Sequence, residues 1–204
     1  MSLLRAFEEQ AVSCTRMGSP FMGRILRILA QVWGADTKLG TAMAAYTGDI
    51  GPVGHSLPLR IAGGLHALVL SGRSNALAAA YPPHDVDDAT LTLALVEALQ
   101  QHEPFLVEWT NSPPQTNEVR RSGVLLAGAQ VALSHFDRPI VLSELGASAG
   151  LNLMWDHYEL QVGETRFGST TPALTLEPDW DGPLPPRAAI HIAERAGVDL
   201  NPLN

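Results

Sequence analysis

The stretch "IVLSELGASAGLNLMW", residues 140–155, decides how the chain is to be read. It opens on a short apolar run, Ile140 to Leu142, and reaches the acid Glu144 just before a glycine-spaced turn. A run of this kind, led by Pro139 and stopped by Gly146, predicts a buried strand. Two chemistries share the letters that follow. As Glu144-x-Gly146-x-Ser148-x-Gly150, the stretch is the turn of a βα unit, whose glycines let the backbone approach a ligand with no Cβ in the way. The amides at the next helix N-terminus would then face that ligand. As Gly146-x-Ser148-x-Gly150, it is a hydrolase nucleophile elbow, with Ala147 and Ala149 as the small neighbours of the serine. A third reading makes it a structural strand-to-helix turn with Ser148 as N-cap.

Upstream of Pro139 the pattern is helical. "LLRAFEEQAVSCTRM" sets Leu4, Phe7, Ala11, Cys14 and Met17 on one stripe. "GSP" punctuates, with Ser19 as N-cap and Pro20 at the first helical position. "FMGRILRILAQVW" then buries Ile25, Leu26, Leu29 and Val32. "LPLRIAGGLHALVLSG" reads as a helix whose paired glycines mark a close helix contact, with His66 on an apolar face as a core histidine. "DVDDATLTLALVEALQQH" places its early Asp residues on the positive end of a helix dipole and Leu91, Leu95, Ala98 and Leu99 on the apolar face. A long helix is expected from about Asn117 to Phe136, capped by Thr116, with Glu118 on the dipole and Arg120 and Arg121 on a solvated face.

Downstream, "YELQVGETRFG" predicts a hairpin and "PALTLEPDWDGPLPP" a short strand followed by a Pro-rich loop. "RAAIHIAERAGVDLNPLN" leaves helix and strand open, and ends on an Asp-x-Asn-Pro turn.

Composition narrows the function classes. Of 204 residues, 46% are apolar, which supports a substantial core, and the net charge of −8 argues against nucleic acid or an anionic membrane surface as the main partner. The single Cys14 can form no internal disulfide, and the acidic N-terminus does not resemble a signal peptide, so a cytoplasmic location is expected. The seven histidines form no HExxH or His-x-His pattern, and there is no Walker A lysine, so neither a metal nor ATP chemistry is expected. The hydrolase reading can cite Asp179 or Asp181 followed by His191 in the required order. Its elbow would come after a helical half rather than after several strands, however, and it gives Glu144 no role. Trp155 is a packing residue with an option to stack on an adenine.

An acid followed by Gly-x-Gly-x-Gly after a strand is the motif-I pattern of S-adenosylmethionine-dependent methyltransferases. "ELGASAG" resembles it, with Ser148 in place of the middle glycine. A second acid normally closes the next strand and holds ribose hydroxyls; "GVDLNP" makes Asp199 the candidate, with Glu164 and Glu177 nearer the usual offset but in weaker contexts.

"GSP", "LRIAGGLHALVLSG", "PPQTNEVRRS", "ELGASAGLNL" and "GVDLNPL" together resemble a bacterial family of uncharacterised proteins, a domain of unknown function, over nearly the whole chain. The resemblance implies an α/β fold: a helical region over 1–137, then a partial Rossmann-like, methyltransferase-like βα unit over 138–204 with a small β-hairpin insertion. The family has no established reaction; the likeness of its glycine motif to motif I makes S-adenosylmethionine the expected cofactor, held by Glu144, Gly146, Ser148, Gly150, Asn152 and Asp199. Gln115, Asn117, Glu118 and Arg121 would line the substrate side. It also implies more strands than the residues after Gly150 can build, so the chain reads as a truncated form. Methyl transfer needs mainly in-line positioning of the acceptor, so no catalytic side chain is named. The expected partner is a small-molecule ligand, and a homo-oligomer is left open. The alternatives are a non-catalytic helical interaction module with a vestigial nucleotide fold, and a serine hydrolase using Ser148.

Overall fold

The computed structural model describes residues 2–115, 117–136 and 138–201. The chain divides into two compact units, Met1–Pro114 and Gln115–Asn204.

The first unit is helical: α1 (Leu3–Arg16), α2 (Pro20–Val32), α3 (Lys38–Ala44), α4 (Leu57–Leu70), α5 (Asn75–Ala80), α6 (Asp88–Gln101) and α7 (Glu103–Trp109). Local chemistry sets several of the starts. The Ser2 side chain accepts from Arg5 N–H at α1, and the Asp87 carboxylate accepts from Thr90 N–H at α6. At α2 the work falls to Pro20 alone, because Ser19 makes no side-chain cap bond. The core is mainly aliphatic, with Ile25, Leu26, Leu29, Ile61, Leu65, Leu91 and Leu95 fully buried together with the aromatic Phe7.

The sequence stripe on α1 is broader than the face the helix buries. Phe7, Ala11 and Cys14 are inside, but Leu4 lies to the side and Met17 is the C-cap residue beyond the last turn; both are exposed. The paired glycines of α4 do mark a helix contact: a Cβ at Gly64 would meet Leu106 Cδ2 at 2.8 Å. His66 is not a core residue. It follows Leu65 round the helix to the exposed side, where its ring stacks 5.9 Å from that of Tyr81. α3, α5 and α7 fall where periodicity assigns nothing, since six or seven residues make about two turns and repeat no pattern.

The second unit is mixed α/β. It begins with α8 (Arg121–His135), continues through β1 (Ile140–Leu145) and a 3₁₀ helix (Leu151–His157), and forms β2 (Tyr158–Val162), β3 (Thr165–Gly168), β4 (Leu174–Leu176) and β5 (Ile192–Val198). β2 and β3 make the expected antiparallel hairpin, turning at Gly163 with φ +59°, and β4 joins β2 in parallel. Leu126 of α8 packs with Trp155, Tyr158, Leu160, Phe167 and Leu176 to form the core of this unit.

β5 resolves the segment that pattern left open: it is a strand, parallel to β1, with Glu144 opposite Gly197 and Leu145 opposite Val198. The chain crosses over between them through the β2–β4 insertion. β1 is less buried than its apolar run suggests. Val141 is 62% and Leu145 87% exposed, because the β1–β5 pair gains no third strand among the described residues and one face stays open. Parallel sheets are ordinarily covered on both faces.

α8 starts at Arg121 rather than near Asn117, for a reason given below. Thr116, expected as its cap, lies outside the described residues, as does Pro202 of the final turn. No helix among the described residues is long and apolar enough to cross a membrane.

Two leucines of α4 test the packing. Leu65→Ala should destabilise the chain by about 2–5 kcal/mol in chemical denaturation, as full burial implies. Leu70→Ala, at a position 76% exposed, should change stability by less than about 0.5 kcal/mol. Equal effects would contradict this packing.

Candidate functional site

The turn after β1 alternates its backbone handedness. Gly146, Ser148 and Gly150 have φ of +71°, +50° and +69°, while the alanines between them do not enter the left-handed region. Glycine adopts that region freely, but for serine it is strained by about 1–3 kcal/mol and persists only where the surroundings fix it. Here they do. Ser148 N–H donates to Asp199 Oδ2 at 2.8 Å, and its hydroxyl donates to Gln115 Oε1 at 2.6 Å.

The other amides of the turn are also occupied. Gly146 and Ala147 N–H donate to Val198 O, Gly150 N–H to Ala147 O, and Leu151 N–H to Asn117 Oδ1. Asn117 spans the turn, since its Nδ2 donates back to Ala147 O at 3.1 Å. Gln115 ties the turn to the end of β5 by donating from Nε2 to Asn201 O. Residues 115 and 117 thus act as a clasp, and this use of the Asn117 side chain explains why the helix begins only at Arg121. Gly197 allows the close approach of β5: a Cβ there would lie 2.6 Å from that of Ala147.

Asp199 follows β5 directly and is half-buried. The backbone N–H groups of Asn201 and Ser148 hold its carboxyl below the usual carboxylate range, by bonding to the charged form.

Beside the turn, a cleft of about 340 Å³ opens between α8, β1 and the 3₁₀ helix. Glu144 and Asn152 both line it. Glu144 Oε2 and Asn152 Nδ2 are both buried and without a hydrogen-bond partner. Asn152 is 3% exposed, and its other amide atom, Oδ1, accepts from the Ser122 hydroxyl at 2.8 Å. Arg121 stands at the exposed rim, with its Nε donating to Glu118 O. Leu142 and Trp155 supply apolar wall.

The residues singled out in sequence therefore fall into three places. Glu144, Asn152 and Arg121 border the cleft. Gly146, Ser148, Gly150, Gln115, Asn117 and Asp199 form the turn and its clasp. Glu118 belongs to neither: its Oε1 accepts from Arg120 N–H, and it borders a separate cavity of about 650 Å³ with Glu177 and Asp179. Ser122, which fixes Asn152, was not singled out; a small hydroxyl one residue into an apolar helix is its only signal.

The base offered in sequence for the elbow lies away from it: His191 precedes β5 while Asp199, bonded to Ser148 N–H, follows it, and the seven residues of β5 separate the two by roughly 25 Å. The Ser148 hydroxyl is committed to Gln115 instead. No group of three His, Cys, Asp or Glu side chains among the described residues is placed to hold a metal ion.

The turn should be acid-sensitive. A carboxyl held below its ordinary value stabilises the folded state above the unfolded value, near 4 for Asp. That contribution is lost as pH falls through the lowered folded value. The gap in melting temperature between wild type and Asp199→Asn should therefore be full at neutral pH and close as pH drops below about 4. A gap that does not change with pH would refute this role.

Residues 4–204 match the model of a family described as "Uncharacterized protein conserved in bacteria (DUF2332)". No curated protein and no solved structure matches the chain. The match spans both units and includes the clasp, the turn and the cleft, so the chain belongs to this bacterial family of uncharacterised proteins.

Proposed function

We propose that the second unit is a Rossmann-like, methyltransferase-like βα unit that binds S-adenosylmethionine beside the Gly146–Gly150 turn, with the methyl acceptor unassigned. The observation that carries this reading is Glu144 Oε2, a buried carboxylate oxygen without a partner, at the carboxyl end of β1 and in a cleft that flanks the turn. In open α/β sheets, ligands bind outside the carboxyl ends of the strands. Two parallel strands end here together, each with an acid: Glu144 on β1 and Asp199 just past β5.

The state of the turn favours this cofactor over a phosphate-bearing one. A pyrophosphate needs free backbone N–H groups, and the amides of Gly146, Ala147, Ser148, Gly150 and Leu151 are already bonded within the protein. What the cleft offers instead is an acceptor oxygen. That suits a ligand carrying positive charge, as the sulfonium and ammonium groups of S-adenosylmethionine do. Trp155 in the wall gives the ligand an aromatic surface.

The same bonded amides support a second reading, a non-catalytic helical module that keeps a vestigial nucleotide fold. In that case the turn is closed by its own side chains and binds nothing.

Thermal denaturation separates the two. A ligand that binds only the folded chain raises its melting temperature, by an amount that grows with the ratio of ligand to Kd. S-adenosylmethionine and S-adenosylhomocysteine at millimolar concentration should both raise it. No shift with either would remove the cofactor reading and leave the module.

A further inference from the structure

We propose that a second cavity of this unit binds a small phosphorylated molecule, with the phosphoryl group on Arg187, Gln130 and the Ser169–Thr170 loop. The cavity, of about 410 Å³, shares no lining residue with the Glu144 cleft. S-adenosylmethionine has no phosphoryl group, so this site stands or falls independently of the reading above.

The sequence holds its parts far apart. "FGSTT", residues 167–171, leaves β3 at Gly168, where φ is +93°. "PPRAA", residues 185–189, belongs to the Pro-rich loop before β5, and Gln130 lies on α8. Gln130 brings them together: its Oε1 accepts from Ala188 N–H at 2.6 Å, which pins the loop to the helix. Arg187, one residue earlier, then sets its guanidinium carbon 5.2 Å from the centroid of the Phe167 ring.

Three groups in the lining are left without a partner. Gln130 is only 4% exposed, and its Nε2 makes no hydrogen bond among the described residues. That nitrogen is not sealed from solvent, unlike the orphaned oxygens of Gln10 and Tyr81. Because Gln130 borders the cavity, the nitrogen opens onto it as a donor with nothing to donate to. Arg187 forms no ion pair among the described residues, and its stacking on Phe167 holds the charge at the wall. Thr170 keeps both its amide N–H and its hydroxyl unpaired among the described residues. Beside it, the Ser169 hydroxyl accepts from Thr171 N–H and retains its own proton to donate.

The one carboxylate in the lining, Asp156, is compensated, since its two oxygens accept from Arg195 at 3.0 Å each. What the cavity offers a ligand is therefore one cation and several neutral donors, an inventory that selects an oxyanion. The donors come from three separate segments: α8, the loop after β3 and the loop before β5. A tetrahedral phosphoryl group presents oxygens in several directions, whereas a carboxylate presents two in one plane. The volume exceeds that of a phosphate and lies in the range of small-molecule sites. The mainly polar wall suits a hydroxylated skeleton such as a sugar for the remainder.

Amide NMR during titration with inorganic phosphate at constant ionic strength tests the site on the intact chain. The Gln130 side-chain NH₂ and Thr170 N–H resonances should move together and saturate, with a Kd on the order of 1 mM for so small a probe. Arg187→Gln, at an exposed position, should weaken binding at least about tenfold, as the loss of a charge-assisted bond implies. Thr170→Val, also exposed, should weaken it less and leaves the cation in place. Arg27→Gln, on the exposed side of α2, should not change it. Acetate at the same concentrations should move the Gln130 NH₂ little.

Gln130 resonances that stay still, or drift without saturating, overturn the inference on the wild-type chain alone. Phosphate binding that neither Arg187→Gln nor Thr170→Val weakens overturns it too, since the anion would then sit elsewhere. Equal weakening by Arg187→Gln and Arg27→Gln does the same, because it reports only the overall field of the chain. Acetate binding as tightly as phosphate overturns the phosphoryl assignment.

Discussion

The Asp199 carboxylate, donated to by the amides of Ser148 and Asn201, is the interaction on which the second unit depends. It joins the turn after β1 to the end of β5, two segments distant in sequence that are also tied by the parallel β1–β5 pair, the Gly146 and Ala147 amides on Val198 O, and Gln115. A strained left-handed serine between two left-handed glycines persists because this carboxylate and Gln115 grip it from two sides. The same grip uses up the hydrogen-bonding capacity of the turn. The side chains flanking the turn, Glu144 and Asn152, each keep one buried polar atom without a partner.

The clasp formed by Gln115 and Asn117 belongs to the same arrangement. Each of these side chains makes two bonds, and all four run to backbone or side-chain atoms of the turn or of the residues after β5. Their segment is polar because its partners are carbonyls, amides and a hydroxyl rather than solvent. A string that looks like an ordinary helix start is in practice tertiary structure. It also delivers the chain into α8, whose first two residues, Arg121 and Ser122, serve the rim and the back of the cleft.

Much of this is legible in the sequence where one periodicity runs long enough. α4 and α6 follow from fourteen-residue patterns, and the β2–β3 hairpin from alternation about Gly163. Strand identity at β5 was not legible, since "IAERAG" carries no clean alternation and its pairing with β1 depends on residues far upstream. At the site, the chemistry of Glu144 and Asp199 could be named from their positions before and after the turn motif. That Asp199 bonds to the turn, and that Asn152 has a free amide nitrogen, depend on distances no local pattern encodes. His66 and Met17 failed for a simpler reason: a helical stripe identifies a face, and only the neighbouring helices decide how wide that face is.

The turn is closed by the chain itself, while the cleft beside it stays unfilled by the chain, as the proposed binding of S-adenosylmethionine requires. Amide-resolved NMR during titration with S-adenosylhomocysteine tests it directly, because the two groups of donors report separately. The expected result is a large movement of the Asn152 side-chain NH₂ resonances, with the Ser148 and Leu151 backbone amides, already bonded to Asp199 and Asn117, changing little. Movement concentrated in the Ser148 and Leu151 amides with Asn152 unaffected, or no movement in any of them, would contradict it.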